Sequence, residues 1–104
     1  MPKYVLAYHG GGMPETPADQ EAVMNAWTNW FGTLGAAVVD GGNPTGASAT
    51  VNADGSVSSG GGANPISGYS LVSADSLDAA TALAKGCPIL SSGGSVEVAE
   101  TIDM

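Results

Sequence analysis

Positive charge is nearly absent from this chain of 104 residues, which carries two lysines, Lys3 and Lys85, and no arginine. Ten carboxylates against those two cations give a formal net charge of −8. Nucleic acid and anionic membrane surfaces need a basic patch to neutralise phosphate, so the charge argues against both partner classes. An anionic substrate would have to be held by backbone N–H groups or by His9, the single histidine. Cysteine also occurs once, as Cys87, which rules out an intrachain disulfide and a cysteine-rich zinc site. With no second histidine, a metal role is not expected, and nothing in the motifs asks for an organic cofactor. No apolar run approaches transmembrane length, and the N-terminus reads as a short strand from Lys3 rather than a secretory signal. The expectation is a soluble, cytoplasmic protein.

What the chain does have is apolar residues, 43% of the total, and 16 glycines. That apolar share and this length predict one domain, residues 1–104, with a modest core. Tyr4, Leu6 and Tyr8 alternate with Val5, Ala7 and His9, so the first strand, Lys3–His9, has two largely apolar faces and belongs in the middle of a sheet. Thr16 (N-cap), Pro17 (N1) and Asp19 (N3) open a helix. Val23, Trp27, Trp30, Phe31 and Leu34 form its apolar stripe and Gly35 closes it. The two tryptophans read as core anchors in preference to a ligand wall.

Residues 36–40 read as the second strand, ended by Gly41-Gly42. Segments 47–52 and 56–59 flank Asp54-Gly55, a hairpin turn pair, and predict a small inserted hairpin. The third strand begins at Gly68. Ser76 caps a second helix with Asp78 in its first turn, where the dipole favours negative charge. Leu77, Ala80, Leu83 and Ala84 recur at helical spacing, Lys85 sits in the last turn, Gly86 suits a left-handed C′ position, and Pro88 forbids continuation. Cys87 follows a helix C-terminus, where the dipole disfavours a thiolate, and reads as a buried packing residue. A loop at 91–94 leads to the last strand, Ser95–Glu100.

Strand, helix, strand, hairpin, strand, helix, strand is the split β-α-β pattern of ferredoxin-like sheets, an α+β fold. It predicts four antiparallel strands in the order 4-1-3-2 with both helices on one face. The bare face then needs a cover, and a second copy of the chain, in a homodimer, is the expected one.

Tyr4-Val5-Leu6, Asp40-Gly41-Gly42, Ser67-Gly68-Tyr69, residues 74–80, Gly86-Cys87-Pro88 and Val96-Glu97-Val98 together resemble the YCII-related family over nearly the whole chain. The resemblance implies a dimeric α/β barrel, two ferredoxin-like sheets packed face to face. It also implies small-molecule isomerase, lyase or dehalogenating chemistry of the kind some relatives perform. An Asp-Gly-Pro-Phe sequence found in one branch has no match, and Gly60-Gly61-Gly62-Ala63-Asn64-Pro65 stands in its place.

The proposed topology brings the ends of the first two strands and the starts of the last two to one edge. His9 and Asp40 fall there, with glycine clusters at 10–12, 41–42, 60–62 and 93–94. These are either ordinary turns or loops that let a ligand approach the main chain. His9 is either a rim histidine satisfied by a carbonyl or a general acid/base oriented by Asp40. Tyr8, Gly10, Gly11 and Gly42 are the expected substrate-binding positions, together with Asn43, Asn64 and Tyr69. His9-Gly10-Gly11-Gly12 matches a lipase oxyanion loop, but no Gly-x-Ser-x-Gly accompanies it. Two functions follow: a cofactor-free enzyme for proton transfer, isomerisation or elimination on a small molecule, or a non-catalytic module that binds a small ligand or partner.

Overall fold

The computed structural model describes residues 1–12 and 14–104. Strand β1 (Lys3–His9) leads into helix α1 (Pro17–Leu34), strand β2 (Val38–Asp40), a hairpin of β3 (Ala49–Val51) and β4 (Val57–Ser59), strand β5 (Ile66–Ser73), helix α2 (Leu77–Ala84) and strand β6 (Ser95–Glu100). The main sheet has the order β2-β5-β1-β6 with every pair antiparallel, and the hairpin forms a separate two-stranded sheet. With the hairpin set apart, this is the 4-1-3-2 order predicted from the pattern of elements.

Local chemistry explains the helix starts. Thr16 Oγ1 accepts from the Asp19 N–H at 3.2 Å and Ser76 Oγ accepts from the Ala79 N–H at 3.1 Å, each satisfying one of the orphan donors of a first turn. Gly35 ends α1 at φ 55° with its N–H on the Phe31 carbonyl. Gly86, predicted to be left-handed, is not among the glycines with positive φ. Its lack of a side chain serves a different purpose: a Cβ there would stand 3.3 Å from Cδ1 and Nε1 of Trp30.

Other boundaries also differ from the sequence reading. Residues 35–37 form a 3-10 turn, so β2 begins at Val38 rather than at residue 36. Strand β5 starts at Ile66, two residues before Gly68. The segment after α2 is not all loop, since Pro88–Ser92 makes a second 3-10 turn. The hairpin turns through Asp54-Gly55 as predicted, with Gly55 at φ 90° and the Gly55 N–H on the Asn52 carbonyl at 2.9 Å.

The core lies between one sheet face and both helices. Tyr4, Leu6 and Tyr8 of β1, Val72 of β5, Ala80 and Ala84 of α2, and Trp30 of α1 form one buried cluster with Cys87 and Ile89. Trp30 Nε1 donates to the Leu83 carbonyl at 3.2 Å and ties α1 to the end of α2. Leu77, predicted on the buried stripe of α2, is 49% exposed; Ala80 and Ala84 are the helix's buried residues, and Ala79 packs beside them against the core. On the opposite face of the sheet, Val5 pairs with Leu71 and Ala7 with Tyr69, and all four are half-buried. Central β1 is therefore fully buried on one face only. Among the described residues no helix is long and apolar enough to cross a membrane.

Candidate functional site

A cleft of about 470 Å³ opens where the end of β1, the middle of α1 and the start of β5 meet. That volume is in the range of small-molecule sites, roughly 300–1,000 Å³. Its apolar wall is Val23, Met24, Trp27 and Phe31 of α1, with Ile89 from the 3-10 turn. Tyr8 lies beneath, its ring 5.0 Å from that of Trp27 and edge-on to it. The opposite wall is backbone: Gly10–Gly12 on one side, Gly41, Gly42, Asn43 and Pro44 on the other.

The glycines of this wall have different reasons to be glycine. At Gly42, φ is 72° and a Cβ would collide with the Tyr69 carbonyl oxygen. Gly11, also at φ 72°, would place a Cβ 2.8 Å from Ile89 Cγ1. Gly12 and Gly41 meet nothing within 4 Å and have no positive φ, so they leave space that a side chain could fill. The clusters at 60–62 and 93–94 contribute nothing to the lining; Gly94 packs against Ile89 and the His9 carbonyl.

The polar side chains that line the cleft are those of Tyr8, Asn43, Ser67, Tyr69 and Ser92. Tyr8 Oη donates to Ser70 Oγ at 2.7 Å, and Ser70 Oγ donates to the Gly41 carbonyl at 2.6 Å. Burial pushes the Tyr8 hydroxyl up to about 12, outweighing the hydrogen bond to Ser70 that lowers it. Tyr8 is thus a fixed neutral phenol at physiological pH. Ser67 also lines the cleft, and its Oγ is buried with no hydrogen-bond partner among the described residues. A buried polar atom left unpaired costs about 1–3 kcal/mol. Cys87 is buried below, its thiol pushed up to about 11 mainly by desolvation, which makes it a packing residue rather than a nucleophile.

Of the residues singled out in the sequence, the cleft gathers Tyr8, Gly10, Gly11, Gly42, Asn43 and Tyr69. His9, Asp40 and Asn64 lie elsewhere. His9 alternates with Tyr8 and so faces the other side of the sheet. There Nδ1 is 3.1 Å from the Asn64 carbonyl and 3.3 Å from that of Pro65, while Nε2 is 3.2 Å from Glu97 Oε1. Every neighbour is an acceptor: the imidazolium can donate to both sides, the neutral ring to only one. Asn64 takes part through its carbonyl.

Asp40 is not brought to His9. It is level with Leu71 of β5, which pairs with Val5, four residues before His9. That register separates the two by roughly 16 Å, from about 3.3 Å per residue along a strand and about 4.8 Å between strands. Asp40 Oδ1 instead accepts from the Gly42 N–H at 2.8 Å. The physical reason is that Gly41-Gly42 interrupts pairing with β5 rather than ending it. The Tyr69 N–H bonds the Asn43 carbonyl at 3.2 Å, and Pro44 forms a bridge with Gly68, so 43–45 occupy the edge assigned to Asp40.

Sequence reasoning missed Glu97, whose signal is its alternation with Ser95 and Ala99 on a strand beside β1. It also missed the part α1 takes in the cleft. Trp30 is a core anchor, 6% exposed, but Trp27 is half-buried and does both jobs, packing on Tyr8 and lining the cleft. Among the described residues no group of three or more His, Cys, Asp or Glu side chains could hold a metal ion. No family model, no curated protein and no solved structure matches this chain.

Proposed function

We propose that this chain is a binding module for a small, largely apolar molecule, held in the cleft between α1 and the ends of β1 and β5. The observation that carries the reading is the lining itself. Aromatic and aliphatic side chains form one wall, pliable backbone forms much of the other, and no described lining residue is a His, Lys, Asp or Glu. General acid/base work needs a group poised near the operating pH, and the histidine that could supply one faces the other side of the sheet. The test is a ligand-detected NMR screen of small neutral aromatics against the parent and Gly41→Leu. Gly41 lines open space without a positive φ, so leucine there should fill the cleft and abolish binding in a folded protein. A parent that binds none of the set overturns the reading.

The strand order, with both helices on one face, supports a ferredoxin-like assignment. The bare, half-apolar face around Val5 and Leu71 supports pairing with a second copy. The YCII-like residue pattern points to the same face-to-face dimer. A second functional reading rests on the His9–Glu97 contact at 3.2 Å. Under that cover, the pair would sit in an enclosed barrel, with His9 as acid/base and Glu97 as its orienting carboxylate, for a proton-transfer, isomerase or lyase reaction. A substrate found by screening and turned over by the parent but not by His9→Gln would favour it over the binding module.

A further inference from the structure

The polar groups of the cleft narrow what it can take, and this inference rests on the binding reading above. Among the described residues no Lys, Asp, Glu or His side chain lines the cleft. The carboxylate next in sequence, Asp40, is turned back onto the Gly42 N–H. A charged ligand of either sign would leave water for walls without a counter-charge, which strongly disfavours it. A pure hydrocarbon is poorly matched for the opposite reason. The hydroxyls of Tyr8 and Ser70 already donate, one to the other and on to the Gly41 carbonyl, but Ser67 Oγ has no partner among the described residues.

Ser67 stands where the register between β1 and β5 shifts: Tyr8 pairs with Gly68 and His9 with Ile66, leaving Ser67 as the extra residue of a bulge. Bulges re-aim side chains, often beside binding sites. No hydrogen bond among the described residues holds the hydroxyl where it is, so a turn about χ1 between staggered wells that offers it to the cleft gives up no bond.

We propose that the cleft binds a neutral, single-ring molecule bearing one hydroxyl or carbonyl group, with the ring against Trp27 and Phe31 and the polar atom on Ser67 Oγ. The ring gains aromatic contact of the kind Tyr8 and Trp27 already make, and the polar atom gives the bulge hydroxyl its missing partner.

The probes are 4-ethylphenol, ethylbenzene, 4-ethylbenzoate and 4-ethylbenzylammonium, titrated by tryptophan fluorescence and amide NMR into the parent, Ser67→Ala and Gly41→Leu. The parent should prefer 4-ethylphenol over ethylbenzene about 3–10-fold, the range expected for one net hydrogen bond, and should reject both ions. Ser67→Ala should bring the two neutral probes to within about twofold. The same variant should leave the melting temperature of the free protein equal or higher, because it deletes an unsatisfied hydroxyl rather than a contact. Equal binding of phenol and hydrocarbon in the parent, a preference that survives in Ser67→Ala, or tight binding of either ion would overturn the ligand class. In those cases binding abolished by Gly41→Leu would leave the module reading standing. Failure of all four probes would overturn both.

Discussion

Gly41 and Gly42 are neighbours with opposite requirements, and they offer a controlled experiment on backbone strain. Gly42 has φ 72° and no room before the Tyr69 carbonyl; Gly41 has neither constraint. Gly42→Ala should destabilise by about 2–4 kcal/mol, the combined scale of a left-handed non-glycine residue and local overpacking. Gly41→Ala should be neutral or stabilising by up to about 1 kcal/mol, through a less flexible unfolded chain. Urea unfolding of the pair checks this, and equal midpoints would refute the assigned geometry. Tyr8 and Cys87 give a second residue-level prediction. Unfolded, they lose their protons near 10.0 and 9.0; folded, they keep them to about 12 and about 11. Between those values the native state binds more protons than the unfolded one, so stability must fall as pH rises. Unfolding midpoints should decline from about pH 9 to 12, and Tyr8→Phe should flatten the upper part of that decline. A flat parent profile over the same range would contradict the burial of both groups.

Helix α1 is one element with two tasks, and its tryptophans separate them. Trp30 is buried and bonded to the end of α2, so Trp30→Ala should cost about 3–5 kcal/mol. Trp27→Ala should cost less, because Trp27 is only half-buried, yet as a lining residue of the cleft it should weaken ligand binding more. Comparing the two variants by thermal melts and by titration with 4-ethylphenol tests the division; equal losses of stability would contradict it. The elements themselves were legible because their signals are local. Thr16-Pro17 and Ser76 cap helices through bonds within three residues, Asp54-Gly55 turns a hairpin, and β1 alternates. What escaped the sequence was set by contacts far along the chain. Gly86 is explained by Trp30, not by its own φ. Gly41-Gly42 resembles a strand end, and only the approach to Tyr69 shows that pairing resumes at Pro44. That resumption moves Asp40 away from His9 and gives the edge to Asn43. Glu97 reaches His9 through the pairing of β6 with β1, which alternation alone does not register.

The whole molecule is flat, with extents of 43 × 41 × 18 Å, and its accessible surface is 6642 Å². A compact monomer of 10.2 kDa would expose about 5,300 Å², so this chain carries about 1,300 Å² more than its mass requires. Its radius of gyration, 14.9 Å, likewise exceeds the roughly 13 Å expected for this length. The hairpin, exposed along both strands, accounts for part of the excess. The sheet face of Val5, Ala7, Tyr69 and Leu71 supplies another part, and it is the surface assigned to the proposed homodimer. A standard interface buries about 800 Å² per partner, within what is in surplus. Charge works against the pairing: each chain brings −8, and the partners repel over distances comparable with the Debye length. Two consequences can be measured by sedimentation equilibrium. The parent should sediment at twice its chain mass at micromolar concentration, and its dissociation constant should fall as salt is raised from about 0.02 to 0.5 M, where the Debye length shrinks severalfold. Leu71→Glu should shift the equilibrium to monomer while leaving the far-ultraviolet circular dichroism unchanged, since Leu71 points away from the helix-covered core. A parent that remains monomeric at tens of micromolar in 0.5 M salt would remove the dimer. The enclosed-barrel setting for His9 and Glu97 would go with it, and the cleft against α1 would remain as the candidate site.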